Sequence, residues 1–206
     1  MIYIIDYYGG NAPSVYNALK KIGFSARFLT TPSHLAHAKL VILPGVGSAK
    51  ATLTSLKELH LIDHLKSYIS ETKQPFLGIC IGYQLLFEES EEENTRCLGL
   101  IDGKVKKFDA KRVCVPQIGW NAVATQRDHP FFTGLSGEPY FYFVNSYYGN
   151  PDNSALVIGR SQYSLPFSAM IHYENIVATQ FHLEKSGPVG LKVLANILGY
   201  FNISRS

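Results

Sequence analysis

Residues 75–90 read PFLGICIGYQLLFEES, and the fold class turns on how this stretch divides. Pro75 opens an unbroken apolar run to Ile79, without the polar alternation of a half-exposed strand. Such a run predicts a short strand covered on both faces. From Ile81 the apolar residues recur at helical spacing, which predicts a helix over 81–89. Between the two stands Gly78-Ile79-Cys80-Ile81-Gly82, a strand-to-helix junction with a glycine on each side of one cysteine. Glycines there let the chain turn sharply and let neighbouring backbone come close.

Upstream of this junction the same alternation recurs. A β-branched run, Ile2–Ile5, ends at Asp6. Asn11, Pro13, the apolar rhythm Val15-Leu19-Ile22 and then Gly23 punctuate a helix, with Asn11 read as its N-cap. Residues 25–29 and 39–43 predict two more strands, and 49–70 one or two helices. Buried strands alternating with helices predict an α/β domain built on a mostly parallel sheet. Downstream the pattern changes to short, alternating runs separated by turn signals such as Asp102-Gly103 and Asn150-Pro151. Strands are expected at 105–108, 112–115, 140–144, 155–159, 169–172 and 176–181, and a closing helix at 190–201. The sheet is therefore expected to be extended by mixed and antiparallel strands, in one domain covering residues 1–206.

Composition narrows the function classes. Charged residues are 17% of the 206, against about 25% in an average domain. With 13 Tyr and 12 Phe, either the core takes the aromatics or a partner covers some of them. The net charge is +3, and Lys and Arg occur at most in pairs, which argues against a nucleic-acid-binding stripe. Three cysteines without a CxxC argue against a disulfide framework. The amino terminus lacks a basic region ahead of its apolar run, and residues 77–87 are too few to span a bilayer. A cytoplasmic protein without a membrane segment is expected.

The junction carries the sharpest chemical signal. Cysteine at the turn would stand exposed at a helix N-terminus, where the dipole favours a thiolate. The Ile81 N–H would be free to face an oxyanion. A thiolate nucleophile needs a base, and His182 directly ends the predicted strand 176–181. Glu184 follows two residues later, on the same side of an extended chain. Cys80 and His182 could then meet across the C-terminal edge of the sheet, where α/β folds place ligands. Pro44-Gly45-Val46-Gly47, after the third strand, is either an ordinary turn or a source of oxyanion N–H groups. No GK[ST] follows it, so it is not a phosphate loop. His60 and His64 lack a third metal ligand. Glu88, Glu89 and Glu91 to Glu93 read as a solvated helix end, and Cys97 and Cys114 as packing residues.

Taken together, PGVG, GICIGYQLLFEESEE and QFHLEKS resemble the class I, triad-type glutamine amidotransferases. IIDYYGGN, VPQIGWN and YFVNSYY narrow the resemblance to the glutaminase subunits of imidazole glycerol phosphate synthases, over essentially the whole chain. It implies a flavodoxin-like fold and hydrolysis of L-glutamine to glutamate and ammonia by a Cys80–His182–Glu184 triad, without metal or organic cofactor. Gly47 and Ile81 would supply oxyanion N–H groups, with a peptide rotation in PGVG as a prior step. Gln84, Glu92, Ser146 and Tyr147 match positions of the glutamine pocket, with Gly45 beside it. Trp120, Asn121, Tyr142 and Lys185 match positions at or near the interface with a cyclase partner, a (β/α)8 barrel that receives the ammonia. Close relatives of these subunits instead serve a cyclase-like barrel that aminates a sugar for surface polysaccharide. The chain departs from the family pattern at Asn145, commonly His, and at Leu183, commonly Pro. It also departs at Tyr8, Ala12 and Pro13, and carries Gln117 where His is frequent.

Overall fold

The computed structural model describes residues 1–7 and 10–205, so the departure at Tyr8 lies outside the described residues. Strands β1 (Ile2–Ile5), β2 (Ala26–Leu29), β3 (Leu40–Leu43) and β4 (Phe76–Ile79) are short, and all but β2 are apolar throughout. Between them come helices α1 (Ala12–Lys21), α2 (Ala49–Glu58) and α3 (Ile62–Lys66), the last running into a π turn, Ser67–Glu71. Beyond β4 lie α4 (Ile81–Gln84), β5 (Glu89–Ser90), β6 (Thr95–Arg96), β7 (Gly103–Lys107), β8 (Gln117–Ala122) and β9 (Ala124–Thr125). Then follow β10 (Tyr140–Asn145), β11 (Tyr147–Pro151), β12 (Val157–Tyr163), β13 (Leu165–Tyr173), β14 (Ile176–Thr179) and α5 (Gly187–Tyr200).

Among the described residues the main sheet has eight strands in the order β2-β1-β3-β4-β14-β13-β12-β9. The stretch β2-β1-β3-β4-β14 is parallel, and β13, β12 and β9 extend it antiparallel. Successive residues of each central strand feed opposite faces. Ile2, Ile4, Leu40, Ile42, Leu77 and Ile79 pack with α1 and α5, whereas Tyr3, Ile5, Val41, Leu43 and Phe76 pack with α2 and α3. Burial on both faces is why these strands read as continuous apolar runs. No helix among the described residues is long and apolar enough to cross a membrane.

Four expectations need correction. The helix after Cys80 stops at Gln84 instead of reaching residue 89. The carbonyls of Leu85, Leu86 and Phe87 accept from the N–H groups of Leu98, Leu100, Ile101 and Gly99, so the chain spends them on a neighbouring loop rather than on further helical turns. The acidic cluster is consequently not a helix end. Glu88, Glu91 and Glu92 accept from the backbone N–H groups of Gly103, Lys107 and Ala49, and these carboxylates pin a small sheet, β11-β7-β5-β6, to its surroundings. Residues 112–115 form no strand, and Cys114 is exposed rather than packed. The remaining spans match their expected elements to within a few residues, except that Ser154–Leu156 forms a 3-10 turn ahead of β12.

The junction glycines are sterically required. A methyl group on Gly82 would collide with the Leu43 carbonyl of β3, and one on Gly78 would lie 2.5 Å from the Gly82 oxygen. Gly82→Ala is expected to cost about 1–3 kcal/mol by overpacking. A urea-unfolding midpoint equal to that of the parent chain would contradict this close approach.

Candidate active site

Cys80 sits directly past the end of β4 with φ 56° and ψ −103°, a left-handed backbone that a side chain rarely adopts. Its N–H donates to the Thr179 carbonyl of β14 at 2.8 Å, and its carbonyl accepts from Tyr83 and Gln84. The junction is thus tied to the adjacent parallel strand, in which Thr179 pairs with Ile79. The sequence reading expects an exposed cysteine, and the structure corrects it. Cys80 is buried, and it lines a cleft.

That cleft has a volume of about 240 Å³. It is smaller than the roughly 300–1,000 Å³ of drug-sized sites, which restricts its occupant to a small metabolite. It brings together Gly47, Cys80, Ile81, Gln84, Glu92, Ser146 and Tyr147, seven residues drawn from widely separated parts of the sequence. Gly45 lies beside the cleft without lining it, under Tyr7 and Ile81. Gly47 has φ 110°, a conformation open to glycine and strained for other residues. Glu92 lies at the N-terminus of α2, where Ala49 donates to it at 2.7 Å. Asn145 also lines the cleft, and its amide donates to the Tyr147 carbonyl at 2.9 Å.

His182 and Glu184 lie behind the cleft, each side chain 1% exposed. The His182 N–H donates to the Tyr142 carbonyl, and the Ser186 hydroxyl closes onto the His182 carbonyl. The His182 Nδ1 faces Glu184 Oε1 at 2.7 Å. A carboxylate only accepts, so Nδ1 carries a proton and Nε2 is left for Cys80. Nε2 is buried and has no hydrogen-bond partner among the described residues, which leaves it free for the thiol. Burial by itself would lower the His182 pKa, but the neighbouring Cys80 and Glu184 outweigh it and hold the imidazole above its ordinary range. The contact between His182 and Glu184 was expected, but its reason was not. Leu183–Lys185 is a 3-10 turn rather than an extended chain, and Leu183 anchors it in the core.

Sequence reasoning missed one residue of this cluster and misread its role. Asn11 stands at the N-cap position of α1 yet makes no side-chain cap bond. Its amide instead donates to Glu184 Oε1 at 2.5 Å. The same carboxylate oxygen therefore takes one donor from His182 and one from Asn11.

These features can be set against known proteins. The glutamine amidotransferase class-I family matches residues 3–198. The chain belongs to the class-I glutamine amidotransferases. It is 42% identical to imidazole glycerol phosphate synthase subunit HisH of Desulfitobacterium hafniense, covering 98% of this chain and 95% of that one. It is 44% identical to the protein of the same name from Herpetosiphon aurantiacus, covering 95% and 92%. In fold it resembles a solved structure, PurLQS from Thermotoga maritima, with TM-score 0.76 and 19% identity over 97% of both chains.

The amidotransferase presents one further surface. In the hairpin of β8 and β10, Trp120 pairs with Tyr142 and Ile118 with Val144. Ile118, Trp120 and Tyr140 are 65%, 56% and 58% exposed, which makes this an apolar face open to solvent. Trp120 and Tyr142 meet edge-on at 6.0 Å. Tyr142 also bridges to His182, so the face adjoins the buried histidine. Lys185 is exposed nearby in sequence, but Asn121 spends its amide on Gln162 and on its own neighbour Ala122. Ile118 and Tyr140 were not singled out in the sequence, although alternation along the hairpin places them on the same face as Trp120 and Tyr142.

Proposed function

We propose that this chain, as a single domain, is the glutaminase subunit of an imidazole glycerol phosphate synthase, serving histidine biosynthesis. Cys80 on its strained turn, facing a small cleft with the Glu184-held His182 behind it, carries the reading. The relatives' shared name supports the acceptor pathway over a sugar-aminating one.

In this reading the Cys80 thiolate attacks the side-chain carbonyl carbon of L-glutamine, and the electron pair moves onto oxygen. Backbone N–H groups of Ile81 and Gly47 receive that oxyanion. As the tetrahedral adduct collapses, the C–N bond breaks and the His182 imidazolium gives its proton to the leaving nitrogen, releasing ammonia. Neutral His182 then takes a proton from water. The hydroxide adds to the thioester, glutamate departs, and the imidazolium–thiolate pair is restored. Gln84, Glu92, Ser146 and Tyr147 hold the substrate beside Cys80. The ammonia passes to a (β/α)8-barrel cyclase docked on the apolar face of Ile118, Trp120, Tyr140 and Tyr142, with Lys185 at its edge.

Mixing the chain with the cyclase subunit and its ribotide ligand is the direct test. Glutamate release is expected to rise in the complex, with the amide nitrogen appearing in the imidazole product. Trp120→Ala is expected to weaken association by about 2 kcal/mol, near 30-fold in Kd. Unchanged titration curves would remove Trp120 from the interface.

Glu184→Gln separates orientation from proton transfer. It keeps the imidazole but removes the negative charge that helps raise its pKa. The His182 titration, followed by NMR, is expected to move down, so the ring loses its proton at lower pH than in the parent. Turnover is expected to fall about 10- to 100-fold. An unmoved titration would sink the orienting role.

A further inference from the structure

Beneath Cys80 lies a polar pair that the mechanism above does not use in full. Gln180, wholly buried between Thr179 and Phe181, points its amide nitrogen at the Cys80 sulfur from 3.8 Å. Gln84 Nε2 lies 3.1 Å from Gln180 Oε1 and 3.0 Å from the Tyr147 carbonyl. The direction of every bond in this chain can be deduced. The Tyr147 carbonyl only accepts, so Gln84 presents its NH2 there. That same nitrogen faces Gln180, which must answer with oxygen. Gln180 is then left with its NH2 toward sulfur. Its backbone N–H is already given to the Ala169 carbonyl, so the residue is fixed at both ends.

The other neighbour of the sulfur has the opposite polarity. The Val144 carbonyl oxygen lies 3.8 Å from Cys80 Sγ. A carbonyl accepts the thiol proton but repels a thiolate, so Val144 favours the S–H form. An amide N–H at the sulfur favours the ionised form. We propose that Gln180 is a catalytic residue: its side-chain amide, locked in direction by Gln84, donates to the Cys80 sulfur and stabilises the attacking thiolate. This rests on the reading of Cys80 as the nucleophile. It also constrains substrate recognition. Both Gln84 N–H bonds are spent on Tyr147 and Gln180, so Gln84 offers the cleft only its Oε1. It therefore receives a donor from the substrate, such as an ammonium or amide N–H, and cannot bind the carboxylate.

The test follows iodoacetamide alkylation of Cys80 against pH, read on the Cys80 peptide by mass spectrometry so that Cys97 and Cys114 do not contribute. Gln180→Met removes the donor at nearly unchanged length. The pH midpoint of alkylation is expected to rise by about one unit, with about tenfold slower labelling below it and the same plateau above. Gln84→Met, which releases the Gln180 amide without touching sulfur, is expected to move the midpoint the same way by less. A purely structural role would lower the plateau and leave the midpoint in place. An unmoved midpoint in Gln180→Met overturns the proposal. If that variant does not fold, an unmoved midpoint in Gln84→Met does. In parallel, the parent chain is treated with a γ-diazoketone analogue of glutamine. Failure to label Cys80 would defeat the nucleophile reading itself, separately from the role of Gln180.

Discussion

Cys80→Ala is expected to lose glutamine hydrolysis by roughly 10⁴- to 10⁶-fold, the scale on which removal of a nucleophile acts. The loss should appear in kcat. Gln84, Glu92, Ser146 and Tyr147 also line the cleft, and the sulfur's hydrogen-bond contacts are instead with Val144 and Gln180. Glutamine binding, measured calorimetrically, should therefore survive. The cyclase partner, given free ammonium, should turn over normally with the variant bound. This separates a missing nucleophile from a damaged subunit. The fold should tolerate the change, because alanine keeps the side-chain volume near Val144 and Gln180 small. Relief of the strain at φ 56° is not expected, since alanine carries the same Cβ. Glutamate release persisting in Cys80→Ala would show that another group attacks.

His182→Ala is the second large effect, expected at about 10²- to 10⁴-fold, the usual contribution of a positioned acid–base. Its signature is in the steps affected. The same imidazole protonates the departing nitrogen and later activates water, so acylation and deacylation should both slow. A single-turnover experiment distinguishes them. If only hydrolysis slowed, ammonia would appear in a burst and a thioester would accumulate, contradicting His182 as the acid for the leaving group. The variant also removes a positive charge from beside the thiol, so Cys80 alkylation at neutral pH should slow as well.

The sequence made the parallel half of the fold readable because its strands are covered on both faces, which leaves apolar runs such as LVIL at β3. The junction at Cys80 was readable for a local reason, since the glycines, the cysteine and the strand that precedes them are contiguous. The end of α4 was not. It is set by donors at residues 98–101, and nothing within residues 81–89 announces them. The same holds for the supporting polar groups. Asn11 reaches Glu184 across 173 residues, and Gln180 reaches Cys80 across 100. Asn11 looked like a helix cap because its position and type fit one. The carboxylate of Glu184, brought in by the sheet, draws the Nδ2 donor to its charge and orients the side chain there, and Oδ1 makes no cap bond. Gln180 lay inside a run read as a strand, where a buried amide has no pattern to mark it. His182 and Glu184 were paired in the sequence on extended-chain spacing, and the 3-10 turn delivers the same contact by another geometry.

The most direct measurement of the central claim is a search for the covalent intermediate. The chain, in complex with the cyclase and its ligand, would be mixed with L-glutamine and quenched in acid within one turnover. The Cys80 peptide would then be weighed by mass spectrometry. A γ-glutamyl group on Cys80, accumulating faster in the complex than in the chain alone and absent from Cys80→Ala, is the result expected. Steady glutamate production by the parent and the Cys80→Ala chain alike, with the parent's Cys80 unmodified at every quench time, would contradict the account.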